Sequence, residues 1–232
     1  MRQHLEKSLE DLRDEIGRLG GMVEEAMDKT IIALKEMDAV CAAEIIRYDD
    51  EIDNVETRIE RRCLSLFALQ QPLARDLRVI GSSLKMITDL ERIGDHAADI
   101  AEITLRLAPG QPYKINPDIY TMAGLARSMV GRSIEAFIHE DLKLASEVCS
   151  DDDAVDELFN LMIMDLVSQI KAGGQSVETN VDLMFIVKYF ERIADHATNI
   201  AEWAVYNETG KHLHLQHPGI NPTEAIEDDA AE

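Results

Sequence analysis

The sequence predicts an all-α protein: two tandem three-helix bundles related by internal duplication. Three observations carry that reading. Apolar residues recur at three- and four-residue spacing along nearly the whole chain, without strand-like alternation. Gly and Pro gather at a few breaks, the strongest being APGQPYKINPD over residues 108–118. The stretch ERIGDHAADIAE, from Glu91 to Glu102, returns one hundred residues later as ERIADHATNIAE, from Glu191 to Glu202, identical at nine of twelve positions.

The periodicity places helices at about 3–38, 42–69 and 73–107, then at about 117–139, 143–171 and 178–208. The first opens in the charged run MRQHLEKSLEDLRDEIGRL, and the second carries AEIIRYDDEID. LQQPLARDLR separates the second helix from the third, which holds the first copy of the motif. The fourth follows the 108–118 break, the fifth carries SEVCSDDDAVD, and the sixth holds the second copy. Glu44, Asp49 and Asp53 match Glu147, Asp152 and Asp156 at an offset of 103, as Ile31 and Leu34 match Ile134 and Phe137. The offset falls to 100 by the third helix, which implies a loop three residues shorter after the second helix of the second half. The units are therefore 1–110 and 111–210, followed by a tail at 211–232. Each unit needs packed partners to bury its stripes.

Composition narrows the partners. The 232 residues carry 45 acids against 23 bases, a formal charge of −22 that argues against nucleic acid or anionic lipid. Cations and basic protein surfaces fit better. Cys41, Cys63 and Cys149 are odd in number and widely spaced, so they read as small apolar groups in a reducing cytoplasm. The charged N-terminus is no signal peptide, and no stretch approaches about 18 uncharged apolar residues.

On a helical wheel with Glu91 at 0°, Glu102 falls at about 20°, Asp95 at about 40° and Asp99 at about 80°. Met86, Leu90, Ile93, Ala97, Ile100, Thr104 and Leu107 lie at about 160–260°, so the acids form a row off the core stripe. Gly94, Ala98 and Ala101 lie beside that row, where small side chains let another helix come close. The second helix of each half offers the partner, with Asp49 and Asp53, or Asp152 and Asp156, spaced i and i+4. Two acid rows then face each other across one groove per half. Carboxylates about 5 Å apart repel by roughly 1–3 kcal/mol per pair. Multivalent cations relieve that repulsion, and oxygen donors suit magnesium, calcium, manganese or iron. An isolated acid row is usually a solvated helix face, but these positions persist in both halves while neighbours diverge. Glu56 and Glu60 face Phe159 and Ile163 in the comparison and read as solvated charges.

His96 and His196, between acid row and core, read as packed or hydrogen-bonded histidines before metal ligands. Arg92 and Arg192 read as ion-pair partners of neighbouring acids. His212, His214 and His217 have chelating spacing but lie in the tail, before EAIEDDAAE.

The two motif copies, with LGGMVEEAM, LQQPLARDLR, DDEID and DDDAVD, resemble the PhoU family over nearly the whole chain. The resemblance implies paired spectrin-type three-helix bundles whose E(D)xxxD motifs hold multinuclear iron or zinc clusters. Carried over residue by residue, the metal set is Asp49, Asp53, Glu91, Asp95 and Asp99, then Asp152, Asp156, Glu191 and Asp195. Asn199 stands where the second repeat would have a fourth acid, and its single neutral oxygen implies weaker or fewer metals there. The resemblance further implies a cytoplasmic homodimer, peripheral to the membrane through protein partners only. It would repress phosphate uptake and the phosphate-starvation response through a phosphate ABC transporter ATPase and a sensor histidine kinase.

No nucleophile–base pairing or phosphate-cradling loop is evident, so the chain does not read as an enzyme. The competing readings are a carboxylate-cluster metalloenzyme, a metal-free scaffold, and an accessory protein of a single-component phosphate transporter. A di-iron oxidase needs Glu-x-x-His, whereas Glu91 and His96 are about 140° apart on the wheel.

Overall fold

A computed structural model describes residues 2–70, 72–109, 115–173 and 176–211. Among these residues there are six helices and no strand: α1 (Arg2–Glu36), α2 (Ala39–Gln70), α3 (Ala74–Leu107), α4 (Asp118–His139), α5 (Leu142–Ala172) and α6 (Val177–Thr209). Every helix end lies within three residues of the expected one. His212, His214 and His217 fall outside the described residues.

The largest boundary difference has a local cause. Met37 takes a left-handed conformation, φ 53°, and ends α1 early. Asp38 then caps α2, its Oδ1 accepting from the backbone N–H groups of Val40 at 2.9 Å and Cys41 at 3.0 Å. The second half repeats the turn, with Glu140 at φ 57° and Asp141 accepting from Leu144 N at 3.0 Å. A cap contributes about 1 kcal/mol, enough to offset most of the strain of a left-handed non-glycine residue.

The shortened second half is not shortened in its loop. The connection between α5 and α6 is one residue longer than that between α2 and α3. The missing residues come from helix instead, because Glu91 lies 17 residues into α3 and Glu191 only 14 into α6. About one helical turn is absent from the start of α6.

Packing orders the helices in two layers. α2, α3, α6 and α5 stand side by side, with α3 and α6 central, while α1 and α4 cover one face. Gly20 on α1 sits so close to α4 that an added Cβ would lie 3.0 Å from Ile134 Cγ2. Leu12, Ile16, Ile52, Ile93, Met129, Val155 and Ile193 are all fully buried and belong to one continuous cluster spanning both halves. Each contributes roughly 1.5–3 kcal/mol of burial. The halves are repeats of topology sharing one core. Cys63 and Cys149 are buried in it, and burial pushes both thiols up to about 12. Cys41 is half-buried. Among the described residues no helix is long and apolar enough to cross a membrane.

Candidate metal centre

The α2–α3 groove holds the first acid row. Packing of Ile52 and Ile93 into the core leaves Asp49 and Asp53 on α2 facing Glu91 and Asp95 on α3. One oxygen from each of Asp49, Asp53 and Asp95 can be chosen so that all three lie within 4.8 Å of one another. Gly94 permits this approach, since a Cβ there would lie 3.2 Å from Asp49 Oδ1 and 3.3 Å from Ile52. Asp49 Oδ1 is buried without a hydrogen-bond donor, and Glu91 Oε2, buried beside it, has only the Arg92 Nε at 3.3 Å, an ion pair without hydrogen-bond geometry. Burial, then the charges of Asp95, Asp53 and Glu91, push the Asp49 carboxyl up to about 7. Burial and Asp95 likewise raise Asp53 and Glu91 above the usual carboxylate range. Arg92 Nη1 reaches Asp95 Oδ2 at 2.7 Å, the ion pair expected of it, from an exposed position. The donor set is all oxygen, crowded and short of counter-charge, which fits a hard or borderline multivalent cation.

The α5–α6 groove repeats the arrangement with a difference. Burial, followed by Asp156, Asp195, Asp153 and Glu191, pushes Asp152 up to about 7. Asp156 and Asp195 are raised by burial and by Glu191. Here Lys188 pairs with Glu191 while lying 5.2 Å over the Phe159 ring. The first groove has Thr88 at the equivalent place. Arg192 Nη1 stands 3.7 Å from Asp195 Oδ2. Among the described residues, only the first groove brings three acid oxygens within 4.8 Å of one another. Lys188 supplies a counter-charge that acid spacing alone did not reveal, although its i,i+3 relation to Glu191 was visible.

Asp99 and Asn199 turn elsewhere. One turn beyond Asp95, Asp99 has swung toward α6, where its Oδ2 lies 3.5 Å from His96 Nδ1 and it accepts from the Tyr189 hydroxyl. Asn199 donates to Asp89 Oδ1 at 3.3 Å, and the same oxygen lies 2.8 Å from His196 Nδ1. The two imidazoles are 5.6 Å apart at this seam, and Tyr189 stacks on His96 at 5.3 Å. Burial lowers the His96 pKa from its ordinary value. Both histidines are thus packed at the α3–α6 seam, as their wheel position predicts, each with Nδ1 against an aspartate and Nε2 buried without a hydrogen-bond partner. Asp89 and Tyr189, which hold them, occupy equivalent positions outside the repeated motif, so the motif gave no sign of them.

The geometry accords with what the chain resembles. The PhoU domain family model matches residues 16–104 and 119–204, one match per repeat. A phosphate-specific transport system accessory protein PhoU homolog of Clostridium acetobutylicum is 38% identical over 215 residues, covering 92% of this chain and 98% of that protein. The homolog from Aquifex aeolicus is 39% identical over 216 residues, with 92% and 98% coverage. The crystal structure of the phosphate transport system regulatory protein PhoU from Streptococcus pneumoniae superposes with a TM-score of 0.85 at 30% identity, covering 90% of this chain and 99% of that one. PhoU from Pseudomonas aeruginosa gives a TM-score of 0.86 at 31% identity, with 89% and 99% coverage. Matched in both repeats and along nearly its whole length, the chain belongs to the PhoU family.

Proposed function

We propose that this protein is a phosphate-transport accessory regulator whose two carboxylate grooves hold metal clusters. The observation that carries the regulatory reading is the match of both repeats to proteins named as phosphate-specific transport system accessory proteins. The observation that carries the metal reading is the acid-lined α2–α3 groove, where Asp49, Asp53 and Asp95 crowd together and Asp49 Oδ1 is buried without a hydrogen-bond donor. In this reading Asp49, Asp53, Glu91 and Asp95 hold one cluster, and Asp152, Asp156, Glu191 and Asp195 the other. Asp99 and Asn199 position the seam between repeats. Iron or zinc occupies the sites, with manganese, magnesium or calcium as the alternatives the donors accept. The protein works in the cytoplasm as a homodimer. It represses phosphate uptake and the starvation response through the transporter ATPase and a sensor histidine kinase.

The metalloenzyme alternative has no nitrogen donor at the first groove, where among the described residues the close-set acids are Asp49, Asp53 and Asp95 alone, while the Nδ1 atoms of His96 and His196 lie against Asp99 and Asp89 at the seam. The test is metal content by mass spectrometry on tag-free protein, beside Asp95→Ala with Asp195→Ala. Metal is expected in the wild type and lost in the variant, with helicity retained. A reporter of the phosphate-starvation response, in cells lacking this protein, should be repressed on high phosphate by the wild type alone. Metal-free wild-type protein would end the cluster assignment, and a reporter indifferent to the wild type would end the regulatory one.

A further inference from the structure

The duplication provides an internal control for the surface of the second half. At the outer ends of α5 and α6, Leu161, Met164 and Val167 face solvent beside Val177, Val181 and Phe185. Met164 is 70% exposed and Phe185 52% exposed. The equivalents in the first half are Arg58, Arg61 and Leu64 on α2, and Leu77, Gly81 and Lys85 on α3. The fold therefore tolerates charge at Leu161, Met164 and Phe185, and folding does not require them to be apolar. Phe159 and Ile163, where the first half has Glu56 and Glu60, extend the same bias inward.

Val177, Val181 and Phe185 stand at i, i+4 and i+8 along one line of α6. Leu161 and Met164 lie along the antiparallel α5, one turn apart. Exposed apolar side chains on two adjacent antiparallel helices offer the kind of face that a third, amphipathic helix covers. The stripe on α6 is about 12 Å long, room for two to three turns of a partner.

Charge selects among occupants. Asp153 and Glu157 on α5 and Glu178 on α6 are exposed around the patch. The nearby bases Lys188 and Arg192 are already paired with Glu191 and Asp195, leaving Lys171 at the hairpin end. A second copy of this chain docked by this same face would bring Asp153, Glu157 and Glu178 against themselves. A basic helix meets both requirements. We infer that the α5–α6 hairpin docks a helix of a protein partner that presents an apolar face flanked by Lys and Arg. This surface extends the accessory-protein reading and uses none of the candidate metal ligands, so the two stand or fall separately.

The test uses a labelled amphipathic peptide of about 18 residues, Leu on one face and Lys on the other, and a matched peptide with Glu for Lys. Binding is followed by fluorescence anisotropy at physiological salt. Saturable binding of the Leu/Lys peptide to wild type is expected, at least tenfold tighter than to Met164→Gln with Phe185→Gln, and tenfold tighter than binding of the Leu/Glu peptide. Circular dichroism confirms the variant's helicity. Should it lose helicity, Leu161→Arg, Met164→Arg and Phe185→Lys, the residues the first half already carries, replaces it. Equal affinity for wild type and variant would place the peptide on acid rows elsewhere and overturn the inference. So would no saturable binding, or a wild-type oligomer that the substitutions dissociate, since the face would then join two copies of this chain.

Discussion

Asp49→Asn with Asp152→Asn tests whether the acid grooves are strained without a cation. Each native carboxyl is raised from 3.8 to about 7, so in metal-free protein the native state holds its proton longer than the unfolded state. The raised pKa fixes the sign: this protonation contributes stability that is fully present below pH 3.8 and lost as pH rises to about 7. Undiminished, a shift of this size amounts to about 4 kcal/mol per group; both carboxyls are partly open to solvent, and screening reduces the figure to about 1–2 kcal/mol. Two such groups give about 2–4 kcal/mol, or roughly 4–16 °C in Tm for a chain of this length. Asn keeps the shape and removes the charge. In chelator at pH 8 the double variant should melt above wild type by that amount, the gap narrowing below pH 7 and closing near pH 4. Added metal should reverse the order by stabilising wild type alone. Thermal unfolding by circular dichroism, with and without chelator, measures both. A variant less stable than wild type in chelator at pH 8 would refute the reasoning.

Other substitutions probe how the grooves are set. Gly94→Ala gains about 1 kcal/mol of helix propensity but pushes on Asp49 and Ile52, so stability should change little while calorimetry shows several-fold weaker metal binding at the first groove. Unchanged affinity would show that α2 yields freely. Lys188→Thr installs the first half's residue and frees Glu191, so metal affinity at the second groove should rise about three- to tenfold. Asp38→Ala and Asp141→Ala each remove a cap and should lower urea-unfolding stability by about 1 kcal/mol without altering metal content.

Helix number, order and bounds were legible because each stripe repeats with the helical period over many turns. The pairing of Asp49 and Asp53 with Glu91 and Asp95 was legible too, because duplication retained both rows. Asp99 was not. A wheel shows only which side of a helix a residue occupies, and at 80° Asp99 borders two neighbours, α2 and α6. The choice depends on Tyr189, a residue of another helix. The capping roles of Asp38 and Asp141 were not legible for a different reason: apolar spacing locates a break between helices but not the left-handed Met37 and Glu140 that set the aspartates at the helix starts. Lys188 lies outside what the two copies share, since Thr88 holds the equivalent position in the first half.

The seam between α3 and α6 also records how far the two halves have parted. Asp89 of the first holds His196 and Asn199 of the second, while Tyr189 of the second contacts His96 and Asp99 of the first. A chain made of the first half twice would set Asp89 against Asp99, two carboxylates where one now meets an amide. The second half twice would lose both acids and leave its imidazoles with a phenol and an amide. Each half is thus a specific mate for the other, and a chain built from either half twice would need a different solution at this seam.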